Sequence, residues 1–335
     1  MKFSNKIMRL AVASALSGVS AVSYAGGFGI GTKSGSGTGN AFSGGAAVAD
    51  DASVVWSNPA GMTALPLGKH VTGALHIVRP SFKFQNGGST GAFALPGTGE
   101  GGDGGDWAYI PNGFFAMDIK PALRFGVAMN APFGLTTNYD AGWRGQFIAL
   151  KSAIKTVNIQ PSIAYKVSDT FSLGAGVSVQ KINAKLTNFA GGAGDASLKA
   201  DDVGFGFNVG AVFTPSSATR IGLHYRSAIK YDLKGNVSFG SPAVNAANSV
   251  AAEASLKVPD SASLSFFHAV NSQWDVMGDV TWTGWDKLQR LTVLRASSSA
   301  VPFSGLNPLG GVAGTVFSTL DFQWDNTWRV GIGAN

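Results

Sequence analysis

Thr156-Val157-Asn158-Ile159-Gln160-Pro161-Ser162-Ile163-Ala164-Tyr165-Lys166 is the stretch that decides the fold. Val157, Ile159, Pro161, Ile163 and Tyr165 fall on one side, and Thr156, Asn158, Gln160, Ser162, Ala164 and Lys166 on the other. Successive side chains of a strand point to opposite faces, so a strand here carries one apolar and one polar surface. The same alternation returns at 171–180, 203–213 and 220–226, and in weaker form at 71–78, 114–120, 123–130, 264–269 and 274–283. A tenth run begins at 328–334.

The connections alternate as well. Long ones (84–107, 135–154, 187–201, 235–252, 286–325) interleave with short ones (119–122, 167–170, 214–219, 271–273). The short ones carry Pro, Asn, Asp and Ser, which suits tight turns. One plain and one elaborate end is the signature of an outer-membrane barrel, with short periplasmic turns and long outer loops. A soluble sandwich has no reason to alternate its loop lengths. Aromatic residues flank both ends of the strands, with Tyr165, Phe171, Phe213, Trp274 and Trp328 read beside short turns. Trp107, Tyr109, Trp282 and Trp285 are read beside long loops. Two such belts fit a bilayer interface.

Composition narrows the alternatives. The chain has 335 residues, 45% hydrophobic and only 13% charged, with 46 Gly, 22 Phe, 8 Trp and no Cys. The absence of Cys excludes disulfide, thiolate-metal and cysteine-nucleophile chemistry. Low charge with many aromatics excludes bulk disorder. The net charge of +6 is partly due to Lys2, Lys6 and Arg9. These precede an apolar stretch at 10–22 that ends in Ser23-Tyr24-Ala25, so residues 1–25 read as a secretory signal. No Lys/Arg cluster marks a nucleic-acid surface. Four His and scattered Ser show no hydrolase motif, so no enzyme activity and no cofactor are expected. Residues 26–66 do not alternate, and their Phe28, Phe42, Val54, Val55, Trp56 and Leu65 need an apolar setting. The segment is expected to plug the lumen, with Asp50 or Asp51 capping a short helical turn and Asn58-Pro59 marking a turn.

Gly39-Asn40-Ala41-Phe42-Ser43-Gly44, Ala49-Asp50-Asp51-Ala52 and Asn58-Pro59-Ala60 resemble the N-terminal hatch of the FadL-type long-chain fatty acid transporters of Gram-negative outer membranes. Aromatic-hydrocarbon channels belong to the same group. The resemblance extends to residues 130–139, 204–210, 224–227 and 232–236. It implies an all-β, transmembrane antiparallel β-barrel of fourteen strands, of which residues 67–335 would hold nine and part of a tenth. The barrel would then be incomplete at its C-terminal side. It implies passive uptake of a hydrophobic small molecule from among outer-membrane lipid and lipopolysaccharide, through an outer-loop groove, a lumenal pocket and a hatch-gated lateral exit. Hatch residues would be Asp50, Asp51, Asn58, Pro59 and Ala60. The third strand either kinks or ends at Pro132, because Pro132 donates no ladder bond and Gly134 packs nothing. Phe133, Trp143, Phe147, Ile148 and Leu150 are the expected apolar ligand contacts. Lys185, Arg290 and Arg295 are the expected partners of a carboxylate, with Asn188 standing where the family has a basic residue. Arg220, His224 and Arg226 are expected to line the lumen. An aromatic-hydrocarbon channel and a non-transport surface barrel (adhesin or receptor) are the competing readings.

Overall fold

The computed structural model describes residues 27–88, 99–298 and 312–335; the expected signal, 1–25, lies outside them. Fifteen strands form one antiparallel sheet: β1 (Lys69–Val78), β2 (Ala108–Lys120), β3 (Leu123–Asn130), β4 (Gly134–Asn138), β5 (Lys151–Lys166), β6 (Phe171–Phe189), β7 (Asp195–Ser216), β8 (Thr219–Arg226), β9 (Ile229–Phe239), β10 (Val250–Val258), β11 (Ser261–Asn271), β12 (Trp274–Thr283), β13 (Arg290–Arg295), β14 (Val316–Asp321) and β15 (Thr327–Ala334). The main path runs β1-β2-β3-β5-β6-β7-β8-β11-β12-β15, which is ten strands. β9, β10, β13 and β14 leave this path as a side sheet: β9 pairs with the upper end of β7, then β10, β13 and β14 follow in order.

The alternation has the inside-out sense of a membrane wall. On β5, Val157, Ile159, Ile163 and Tyr165 are exposed, while Asn158, Gln160, Ser162 and Ala164 are buried. On β7, Phe205, Phe207 and Val209 face outward and Asn208 inward. Apolar side chains on the convex face cost little when the surroundings are hydrocarbon. The register stacks these residues into rows, Ile159 beside Val179 beside Phe205, and Tyr165 beside Leu173 beside Ala211.

Above Val157, Lys181 and Val203 the polarity inverts on the same strands. Outward positions become Lys155, Asn183, Lys185, Lys199 and Asp201, and inward ones become Ile154, Ile182 and Leu198. The side sheet continues this sense: Tyr231, Leu233, Val237, Leu256 and Val258 are buried, while Lys230, Asp232, Lys234 and Glu253 are exposed. Four expected loops are thereby corrected: 135–154 holds most of β4 and the start of β5, 286–325 holds β13 and β14, and the other two are 187–201 and 235–252. Residues 187–201 are mostly a hairpin extension of β6 and β7, turning through a single 3-10 turn at Gly191–Ala193. Residues 235–252 hold the end of β9, a helix (α3, Pro242–Asn248) and the start of β10. A strand that reverses its apolar face at mid-length keeps its ladder and its period but flips the phase of the pattern in sequence. Two aromatics are also relocated. Trp328 pairs with Trp282 at the long-loop end, and Trp285 is buried inside.

The leading segment lies against the inner face of the wall. It contains α1 (Gly35–Thr38), α2 (Val54–Ser57) and a 3-10 turn at Pro59–Ala64. Ala52, Val54, Val55, Trp56 and Met62 pack with Phe114, Ala116, Ala128 and Ala164 of β2, β3 and β5.

Candidate functional site

The third strand neither simply ends nor continues. β3 stops at Asn130, residues 131–133 leave the ladder, and β4 resumes at Gly134, paired to β5 alone. Thr156 of β5 repairs the break locally: its hydroxyl donates to the Phe133 carbonyl at 2.7 Å and accepts from the Phe133 N–H at 3.0 Å. On the other side, β2 pairs with β3 only from Gly113 downward. Among the described residues Ala108–Asn112 of β2 therefore has no strand partner on that flank, and Pro111 sits where a donor is not needed. The wall has a gap between the upper part of β2 and the kink. A cavity of 1400 Å³ opens there, lined among others by Ile30, Tyr109, Ile110, Asn130, Leu135 and Thr156.

The start of the leading segment crosses this gap from inside. Gly29 bridges antiparallel to Phe133, the Ile30 N–H donates to the Pro132 carbonyl at 2.9 Å, and the Gly134 N–H donates to the Phe28 carbonyl at 2.8 Å. Phe28 itself is buried in an aromatic nest. Its ring centroid lies 5.7 Å from Phe133, 5.7 Å from Trp285 and 5.9 Å from Trp324. Trp285 and Trp324 meet edge to face at 5.2 Å. Tyr231, Leu233, Leu256, Ile182 and Leu288 belong to the same apolar cluster. The Tyr231 hydroxyl accepts from the Gln180 side chain at 2.6 Å.

Three clamps hold the rest of the leading segment. Asn58 is fully buried; its amide donates to the carbonyls of Ala46 at 2.7 Å, Ala211 at 3.1 Å and Leu223 at 3.2 Å, and its Oδ1 accepts from Ala60 N–H. One side chain thus joins the segment to β7 and β8. Gly210 and Gly222 make this possible, since a Cβ there would meet Asn58 Oδ1 at 1.9 Å and the Ala46 carbonyl at 2.0 Å. Arg226 of β8 donates to Gln160 Oε1 at 2.6 Å and to the Trp56 carbonyl at 2.8 Å, with its guanidinium 3.3 Å from the Trp56 ring centroid. Asp279 of β12 accepts from Gly44 N–H at 3.2 Å and pairs with Arg329 of β15 at 2.6 Å, while Arg329 reaches the Ala41 carbonyl. A charge held in a lumen needs such partners, because unpaired burial is costly.

The remaining expected residues are scattered. Trp143 is buried in loop packing, stacked on Tyr139 at 4.4 Å, with its indole N–H donating to the Ala149 carbonyl. Phe147 meets Phe189 edge to face at 5.4 Å, Ile148 is exposed, and Leu150 is half-buried. Asn188 donates to the Phe147 carbonyl. Arg290 forms an exposed ion pair with Asp321, and Arg295 donates to the Val316 carbonyl at 2.8 Å. Lys185 points out of the wall, away from the aromatic nest. Asp51 caps the short turn that leads into α2, its carboxylate accepting from Ser53 N–H at 2.8 Å and its carbonyl from Val54 N–H, while Asp50 is exposed. Pro59 and Ala60 are buried in the 3-10 turn beside Asn58. The structure brings Pro132, Phe133 and Gly134 together with Phe28, Trp285 and Trp324. From sequence alone Phe28 is only an apolar residue in need of a setting, Trp285 stands in an aromatic belt and Trp324 has no role. Asp279 and Arg329 were also missed, although both occupy inward positions of their alternating strands.

Ten strands with an apolar outer face, an inner segment clamped by buried polar groups and a breached wall make the wall of an outer-membrane β-barrel of the transport class; among the described residues β1 and β15 are its two edges and do not pair with each other. The profile of the family described as outer membrane protein transport protein (OMPP1/FadL/TodX) matches residues 16–335, and the chain belongs to that family. It is 27% identical over 339 residues to the long-chain fatty acid transport protein of Escherichia coli K12, covering 87% of this chain and 74% of that one. It is 26% identical to outer membrane protein P1 of Haemophilus influenzae, covering all of this chain and 78% of that one. The solved structure of a Pseudomonas aeruginosa FadL homologue matches with a TM-score of 0.73 at 25% identity, covering 92% of this chain and 77% of that one. The Ralstonia pickettii toluene transporter TbuX shares the fold, with a TM-score of 0.67 at 17% identity over 92% of this chain and 82% of that one. The protein is an outer-membrane transporter of hydrophobic compounds in a family of channels, not of enzymes.

Proposed function

We propose that the protein takes up long-chain fatty acids passively, with residues 26–66 as hatch and the gap beside Pro132 as lateral exit. The observation that carries this is the Phe28–Ile30 segment, which crosses the gap and bonds to its kinked edge while its Phe28 ring occupies the aromatic nest. An alkyl chain entering from outer-loop residues such as Phe147 and Ile148 gains ~0.8 kcal/mol per CH₂ on leaving water. Competing with Phe28 for the nest, it would withdraw the segment whose two backbone bonds tie it across the gap. No energy source is needed.

The chain has no Cys, so a pair introduced at the bridge partners Gly29 and Phe133 forms a clean lock. Directly paired strand residues lie within disulfide reach. The experiment measures oleate binding and uptake by the full-length Gly29→Cys/Phe133→Cys protein in cells lacking their own transporter. Uptake is expected to fall to background when oxidised and to recover on reduction. Undiminished uptake by the oxidised form would overturn the gating scheme.

The competing reading, an aromatic-hydrocarbon channel, is favoured by the ring-to-ring contacts of Phe28, Phe133, Trp285 and Trp324 in the nest. Lys287, at its edge, is already paired to Asp260 at 2.7 Å. Toluene that displaces oleate from the wild-type protein at comparable concentration would support it.

A further inference from the structure

The concavity at the gap continues across the outer face of β5, β6, β7 and β9, and there its lining is basic. Lys151, Lys155, Lys185, Lys199 and Lys234 all contribute to it. The register arranges them in rows. Lys185 faces Lys199 directly across the β6–β7 pair, with Ala153 and Asn236 on either side. The next row down reads Lys155, Asn183, Asp201 and Lys234. Asp201 is paired with Lys181 at 3.3 Å. Among the described residues, none of the five lysines forms an ion pair.

Like charges directly opposite one another on a sheet are destabilising. A row that sets Lys185 against Lys199, flanked by three more cations, is relieved when an anion lies between them. The height of the rows says which anion. Immediately below them begins the lipid-facing band, with Val157 and Val203, then Ile159, Val179 and Phe205, all exposed. The band runs from Val157 to Tyr165 on β5, the length that a spanning strand needs. The lysines therefore stand at the headgroup level of the outer leaflet, with Val157 and Val203 beneath them on β5 and β7, Lys181 between those two on β6, and the ion pair of Asp232 with Lys230 beneath Lys234 on β9. The outer leaflet of this membrane is a phosphorylated glycolipid, whose phosphates lie at that height and whose acyl chains lie along the band.

We propose that this face is a binding site for the phosphates of the outer-leaflet glycolipid, with Lys155, Lys185, Lys199 and Lys234 as the main contacts. It rests on the membrane placement of the wall and not on the transport reading. A lysine ammonium binds phosphate as a point charge and tolerates varied headgroup poses. A lipid held there stands beside the gap.

The test uses the full-length protein in detergent with added lipid A, and native mass spectrometry reads the bound fraction. Bis-phosphorylated lipid A is expected to be retained at least ten-fold more than its dephosphorylated form. The Lys185→Gln/Lys199→Gln protein is expected to lose most of that retention, and the variant with all five lysines changed to Gln all of it. A Lys120→Gln/Lys166→Gln control at the short-turn end is expected to keep it. Heat-modifiable gel migration reports folding, and the two-residue variant suffices if the five-residue one does not fold. The proposal is overturned if the folded variants retain lipid A, or if the dephosphorylated form binds as well. It is equally overturned if oleate displaces lipid A stoichiometrically, which would assign the lysines to a carboxylate.

Discussion

The lower and upper halves of β6 obey opposite rules. Below, Val177 and Val179 face out while Ser178 and Gln180 face in; above, Lys181 and Lys185 face out while Ile182 faces in. The backbone ladder is continuous through the change. What differs is the medium outside the wall. Hydrocarbon accepts Val177 at no cost and leaves the lumen to polar groups. Water above the membrane forces the ordinary soluble arrangement, in which the apolar face turns inward. The inversion puts a greasy nest at the top of a polar lumen, and that is where a hydrophobic solute has reason to stop.

The largest expected effect comes from placing one charge on each side of the boundary. Val177→Arg is expected to cost ~2–4 kcal/mol, as for other barrels near mid-membrane. Ser255→Arg, outward on β10 opposite Asp232, is expected to stay within ~0.5 kcal/mol. Denaturant unfolding in lipid vesicles measures both, and equal costs would break the comparison. Truncation tests the inner side. Leu233→Ala in the nest is expected to cost ~3 kcal/mol, because it opens a cavity between buried neighbours. Leu173→Ala, facing lipid, is expected to cost under ~1 kcal/mol, since lipid tails are as apolar as Leu and close over the change.

The polar lumen is sharpened by Arg226→Met. Losing the Gln160 and Trp56 bonds and the cation–π contact is expected to cost ~1–3 kcal/mol. Single-channel conductance in planar bilayers is expected to rise as the leading segment loosens; an unchanged conductance would remove Arg226 from the clamp. The smallest effect concerns the outer water-facing side. The hydrogen bond from Lys287 to the Asp260 carboxylate, together with the charge of that carboxylate, holds the ammonium above its ordinary value of 10.5. That stabilisation is fully present below 10.5 and is lost as pH rises through the raised folded value. A stability profile above that pH is expected to slope downward slightly, and Lys287→Met is expected to flatten this part of it.

Much of the wall was legible because alternation with a constant sense needs no tertiary information. All ten strands of the main path coincide with alternating runs in the sequence, and the short turns between them were recognisable by their Pro, Asn, Asp and Ser. Legibility stopped at Gln180 and near Val203, where the apolar side changes. The period survives there but its phase flips, so the upper hairpin and the side sheet passed as loops. The hatch motif marked Asn58, yet not its role. A buried amide spanning three carbonyls depends on β7 and β8 approaching a segment more than 150 residues distant in sequence.

The chain alone determined which faces are apolar, where the turns fall and that Pro132 and Gly134 interrupt a strand, because these follow from side-chain chemistry and local backbone limits. Tertiary structure decided what fills the interruption, which rings surround Phe28 and which lysines stand in one row. Those depend on register between distant strands and on the solvent each face meets, and neither is written in any single stretch of residues.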